Sequence, residues 1–227
     1  FKAFLSFLMS PTLYWFPVSP FARVVRYFLI ASNIEHDLKL IDIIKGEQKT
    51  PEYTAINPMQ KVPALVDGDL KLNESYAIIR YLAMKYDTPL LPFKSNLNAA
   101  AKIDAQATYI AGGLAKTIYG LVYEKVFKLR FGGTPDESVI VKSEAELVAL
   151  LTKANELYFN ESEFAVENQF SLVDILLAVA FAQSRVIRLN LSAFPKLDDF
   201  YNRVSQQDSF KAAHKEFFGF LASQGQN

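Results

Sequence analysis

Two prolines fall within the six residues Asp87-Thr-Pro-Leu-Leu-Pro92, and the sequence changes character across them. Proline removes a backbone donor and restricts its predecessor, so such a run ends regular structure and reads as a linker. Before it the segments are short and alternate in type. Thr12-Leu-Tyr-Trp-Phe16 has strand composition. Phe21, Val24, Val25, Phe28 and Leu29 recur at helical spacing within 20–33. His36 to Asp42 alternates like a strand, and the polar stretch Gly46 to Ala55 predicts a short irregular helix. Val62 to Val66 and Leu70 to Leu72 predict two strands joined at Asp67-Gly68, a tight-hairpin signal. Glu74 to Tyr86 is helical again, with Ile78, Ile79, Leu82 and Ala83 on one face.

The order β-α-β, then a crossover, then β-β-α implies a parallel strand pair extended by an antiparallel hairpin. After the prolines the strand signals stop. Helices are predicted over 96–130, 135–159, 172–188, 195–205 and 209–222. The fold class is therefore a small α/β domain over 9–87, a linker over 88–95 and an all-α domain over 96–227. Ser171-Leu-Val-Asp174 has the spacing of a capping box, with Phe170 and Ile175 at staple positions. Gly112-Gly113 interrupts a helical stretch. It serves either close packing against a neighbouring helix or room for a ligand.

Composition narrows the chemistry. Lys+Arg and Asp+Glu are both 24 and interspersed, so nothing predicts a polyanion-binding face, and nucleic acid is not expected as a partner. With 51% hydrophobic residues among 227, the chain can bury a substantial core. It has no cysteine, which removes disulfides, a cysteine nucleophile, a CxxC redox pair and thiolate metal sites. Any sulfur chemistry must use sulfur brought by a ligand. The two histidines, His36 and His214, are far apart and read as ordinary, partly exposed side chains; no metal is expected. No apolar run reaches the roughly 18–20 residues that span a bilayer. Met9 reads as the natural start, with 1–8 as an extension, and the disulfide-free chain is expected in the cytoplasm.

Three motifs carry a resemblance. They are Tyr14-Trp-Phe-Pro-Val-Ser-Pro-Phe-Ala-Arg23, Asn57-Pro-Met-Gln-Lys-Val-Pro-Ala-Leu-Val-Asp-Gly68, and Leu72-Asn-Glu-Ser-Tyr-Ala-Ile-Ile-Arg-Tyr-Leu82. Together they resemble the cytosolic glutathione transferases, and the likeness runs from Met9 to the C-terminus. The serine at the strand–helix junction is similar to that of the theta, phi and tau classes. The resemblance implies a thioredoxin-like N-terminal domain, a helical C-terminal domain and glutathione as co-substrate. Ser19 would then activate the thiol. Val62, ahead of a cis Pro63, would pair with the cysteinyl backbone. Glu74 and Ser75 would hold the γ-glutamyl end at a helix start. Lys61 and Gln48 would meet the glycyl carboxylate. Asp104 matches an aspartate that reaches across a homodimer to the ligand's ammonium. Trp15, Ile110, Leu114 and Tyr119 are read as walls of a pocket for small hydrophobic electrophiles.

The energetics suit a serine. Lowering a thiol pKa from about 8.5 by about two units needs roughly 2.7 kcal/mol. One hydroxyl hydrogen bond to a charged acceptor supplies about 1.5–3 kcal/mol. Trp15 stands where other classes place a tyrosine, and Tyr14 is offset to the opposite strand face, so Ser19 is preferred over Tyr14. The same residues would serve a glutathione-dependent peroxidase or isomerase, and the same fold a non-catalytic binding or structural protein.

Overall fold

The structure is a computed structural model and describes residues 10–166 and 168–225. The extension expected over 1–8 and the start expected at Met9 lie outside the described residues.

The first half forms a four-stranded sheet in the order β2-β1-β3-β4. β1 (Thr12–Trp15) runs parallel to β2 (Asp37–Leu40), with Thr12 opposite Asp37. β3 (Ala64–Asp67) is antiparallel to β1, with Thr12 opposite Val66, and β4 (Leu70–Asn73) completes the hairpin. The turn lies at Gly68–Asp69, one residue later than expected, and Gly68 takes φ 60°, which glycine adopts without a Cβ penalty. The crossover between β1 and β2 is α1 (Pro20–Ala31). The polar 46–55 segment holds a 3₁₀ turn at Glu47–Lys49 and the one-turn helix α2 (Pro51–Thr54). α3 (Ser75–Tyr86) closes this half.

The residues after it are helical. α4 (97–130) is one long helix whose α-helical parts are joined by π turns at Ala111–Ala115 and Tyr123–Phe127. α5 (Glu137–Leu157), α6 (Leu172–Ser184), α7 (Pro195–Val204) and α8 (Asp208–Ser223) follow. All thirteen residues of α6 are buried, so it is the axis of the helical half. Ser171 and Asp174 form the expected capping box at its start.

The two halves share one core. α1 buries every residue from Ala22 to Leu29 and packs on both α6 and α8. Arg26 of α1 makes a bidentate pair with Glu216 of α8, at 2.5 and 3.0 Å, while its guanidinium covers the Trp15 ring at 4.1 Å. The proline-rich connection is not a loose tether. Leu90 and Leu91 are buried, and the Leu90 carbonyl accepts from the Leu172 N–H at 3.0 Å, pinning it to the start of α6. His214, expected to be partly exposed, is fully buried. Its Nδ1 bonds to the Phe210 carbonyl at 2.9 Å, and its ring stacks on Phe210. Burial, with the nearby Arg23 charge, pushes its pKa well below the usual value and keeps it neutral.

Gly112 and Gly113 sit in the first π turn of α4. A Cβ on Gly112 would meet nothing within 4 Å, and one on Gly113 would touch Leu150 at an ordinary 3.6 Å. Neither glycine lines the cleft described below, so neither close packing nor ligand room explains the pair. Gly112→Ala should therefore stabilise the protein by about 0.5–1 kcal/mol by removing backbone freedom from the unfolded chain. A urea midpoint unchanged or lowered would show that the position needs glycine for another reason.

Candidate active site

Ser19 stands where β1 gives way to α1. The Ser19 N–H returns to the Phe16 carbonyl at 3.0 Å, which closes the turn that aims the residue. Ser19 is the N-cap, with Pro20 at the first helical position, and its Oγ accepts from the Ala22 N–H at 3.3 Å. That bond uses the oxygen as an acceptor. The hydroxyl proton remains free to donate, so the cap and a donor role coexist on one side chain.

Two concavities meet at Ser19. One is a polar groove of about 630 Å³ that also takes in Gln48, Lys61 and Val62. The other is a cleft of about 640 Å³ between the halves, walled by Phe16, Phe21, Tyr119, Phe127 and Phe220. Ser19 and the isoleucines Ile43 and Ile44 belong to both.

The segment that carries Lys61 and Val62 is held by Asn57, which is almost fully buried and does not itself line the groove. Its Nδ2 donates to the Lys61 carbonyl at 2.7 Å, joined there by the Tyr53 hydroxyl at 2.6 Å, and its Oδ1 accepts from the Met59 N–H and the Asn73 amide. This holds the turn that leads into the cis Val62-Pro63 bond and then β3. The end of Gln48 is buried beside the groove, with its Oε1 unpartnered among the described residues. Ala64 pairs with Asn73, so Glu74 and Ser75 begin α3 next to the cis bond in the hairpin register. Glu74 adopts φ 65° and makes no side-chain cap, which leaves the first N–H groups of α3 without one.

Other expected residues lie elsewhere. Trp15, Ile110 and Leu114 are core residues and do not line the cleft; of the four expected walls only Tyr119 does. Trp15 alternates inward along β1 and is covered by Arg26, and Ile110 and Leu114 lie on the inner face of α4. Asp104 pairs within its own chain, bidentate to Arg80 at 3.0 Å for both bonds. Tyr14 packs against Tyr53 and borders neither concavity. The sequence reading missed Phe21, Phe127, Gln183 and Phe220. Phe127 follows Tyr119 at helical spacing on α4, a legible signal, whereas Gln183 and Phe220 arrive from distant helices and have none.

Residues 13–90 match the family model described as "Glutathione S-transferase, N-terminal domain", and residues 121–208 match "Glutathione S-transferase, C-terminal domain". Glutathione S-transferase 3 of Zea mays is 32% identical over 170 residues, covering 73% of this chain and 75% of the maize protein. The chain belongs to the glutathione S-transferase family, a family of enzymes. Human glutathione S-transferase theta-1 is 28% identical over 214 residues, covering 91% of this chain and 88% of its own length. The apo structure of human glutathione S-transferase T1-1 superposes with a TM-score of 0.80 at 27% identity, covering 91% and 88% of the two chains. The thioredoxin-like sheet and the helical second half are thus those of glutathione S-transferases. Among the described residues no helix is long and apolar enough to cross a membrane.

Proposed function

We propose that the chain binds glutathione in the polar groove and uses the Ser19 hydroxyl to stabilise its thiolate for attack on a small hydrophobic electrophile in the adjoining cleft. The observation that carries this is the position of Ser19 at the seam of the two concavities, with its Oγ accepting from α1 and its proton free. A sulfur at that seam would meet a donor on one side and an apolar chamber on the other. The start of α1 adds the partial positive charge of a helix N-terminus, worth about 0.3–1 kcal/mol for an anion.

Lys61, Val62 and Gln48 line the groove, and Glu74 and Ser75 lie outside its lining, at the start of α3 beside the β3–β4 hairpin. Backbone groups at Val62 would pair with the cysteinyl unit as an added strand does. The open N–H groups at the start of α3, with Glu74 and Ser75, would take the γ-glutamyl carboxylate and ammonium. Lys61 would hold the glycyl carboxylate. The Gln48 amide, having no fixed partner for its oxygen, can turn its NH₂ toward the same group. Asp104 enters only through a second copy of the chain, and it would have to share its carboxylate with Arg80.

Calorimetric titration with glutathione tests the reading. Saturable binding at one site per chain is expected, with S-methyl glutathione competing. Heat indistinguishable from dilution would remove glutathione as the ligand and leave the fold serving some other binding role.

A further inference from the structure

A concavity of about 780 Å³ opens between α7 and α8, and among the described residues it shares none with the groove or the cleft at Ser19. Phe181 and Ser184, near the end of α6, line it and are almost fully buried. Tyr201 of α7 meets Phe181 and Phe210 edge to face, with 6.0 Å between centroids in each pair. Spaces between packed helices that combine apolar walls with a few polar groups are characteristic small-ligand sites.

The wall supplied by α8 fixes the chemistry. Phe210, His214 and Phe218 recur every four residues and their rings stack, with centroids 4.1 Å apart in the first pair and 5.8 Å in the second. Phe210 and Phe218 line the concavity, and the stack holds both rings in place. Lys211 and Lys215, each one residue further on, line it too, so ammonium groups run beside the rings. Arg185, just past α6, brings a third cation, its Cζ 5.2 Å from the Phe218 centroid. Like charges four residues apart on a helix repel. Among the described residues the lining has one carboxylate, Asp198 on α7, and neither it nor any of the three cations makes an ion pair. The positive excess is local, because Lys+Arg and Asp+Glu balance over the whole chain.

We infer that this concavity is a second binding site, for a small aromatic carboxylate. The ligand's ring lies against Phe210 and Phe218, and its carboxylate reaches Arg185, Lys211 and Lys215. Aromatic pairs contribute beyond the area they bury. A guanidinium fork matches a carboxylate in two parallel bonds, and charge-assisted bonds are stronger than neutral ones. Asp198 repels an anion placed against α7, so the carboxylate has only the cationic side of the concavity open to it. No residue of the glutathione reading takes part, and the two stand or fall separately.

Calorimetric titration with 1-naphthaleneacetate, and with the neutral 1-naphthaleneacetamide, tests the site. The proteins compared are wild type, the double variant Lys211→Glu with Lys215→Glu, and Asp198→Asn. Wild type should bind the acid saturably and the amide about tenfold more weakly. Reversing both lysines should lower affinity for the acid roughly tenfold or more, while the amide is nearly unaffected. Asp198→Asn should raise affinity for the acid about twofold to fivefold, because a repelling charge is gone. The two variants move affinity in opposite directions, which a general loss of structure does not imitate. Equal binding of the acid by all three proteins overturns the site and places the ligand elsewhere, the cleft included. Equal binding of acid and amide by wild type overturns it too, as does no saturable binding of the acid below about 1 mM.

Discussion

Ser19→Ala should raise the pKa of bound glutathione by one to two units and lower kcat/KM about tenfold to 150-fold, the equivalent of a lost 1.5–3 kcal/mol hydrogen bond to an anion. The alanine should also cost stability, about 0.5–2 kcal/mol, because the Ala22 N–H loses its cap. Ser19→Gly separates the two roles. Glycine at an N-cap costs only a few tenths of a kcal/mol, so this variant should keep most of the stability while losing the same activity. The thiolate absorbance of the bound ligand, followed against pH, checks the first effect, and urea unfolding checks the second. Identical thiol titration curves in wild type and alanine variant would sink the serine mechanism, even with turnover reduced.

How much of this was legible before the fold was known varies with the distance over which each feature is encoded. α1 was readable because Phe21, Val24, Val25, Phe28 and Leu29 state its period within a dozen residues. The β3–β4 hairpin was readable because Gly68 marks its turn, although the turn sits one residue later than Asp67-Gly68 suggested. The capping box at Ser171 and Asp174 is likewise local. The cleft was not legible in the same way. Its floor and walls come from the turn between β1 and α1, the segment after β2, and α1, α4, α6 and α8, and no window of sequence shows which faces converge. Trp15, Ile110 and Leu114 have the composition of a pocket wall and of a core equally, and packing decided for the core. Arg23, Arg26 and His214 were hidden for a different reason. Polar side chains are read as surface by default; the tertiary partners Gln183 and Glu216 make the burial of the two arginines tolerable, and the Phe210 carbonyl one turn back in α8 that of His214. The π turns of α4 carry no sequence signal beyond Gly112-Gly113, and that pair suggested close packing or room for a ligand instead.

Asp174→Ala should destabilise the protein by about 3–5 kcal/mol, because it strands buried donors that have no alternative acceptor. Asp174 and Ser171 are both fully buried. The carboxylate accepts from the Ser171 N–H, the Ser171 hydroxyl and the Ala165 N–H, each at 2.9 Å. It thereby fixes both the start of α6 and the loop before it, and α6 is the helix against which α1 and α4 pack. Loss of this anchor should therefore be felt at the active site as well as in stability. The dependence on pH distinguishes this account from simple cavity formation. Burial outweighs the three hydrogen bonds and raises the Asp174 pKa from 3.8 to about 6. The native state then holds more protons than the unfolded chain between about pH 4 and 6, so this group adds stability as pH falls through that window and loses it as pH rises through 6. A shift of about two units corresponds to roughly 3 kcal/mol. The alanine variant lacks the titrating group. The gap in unfolding free energy between wild type and variant should consequently widen from pH 7 to pH 4, measured by urea denaturation at each pH. A gap that stays constant or narrows would mean that Asp174 is ionised throughout, with its three hydrogen bonds outweighing burial.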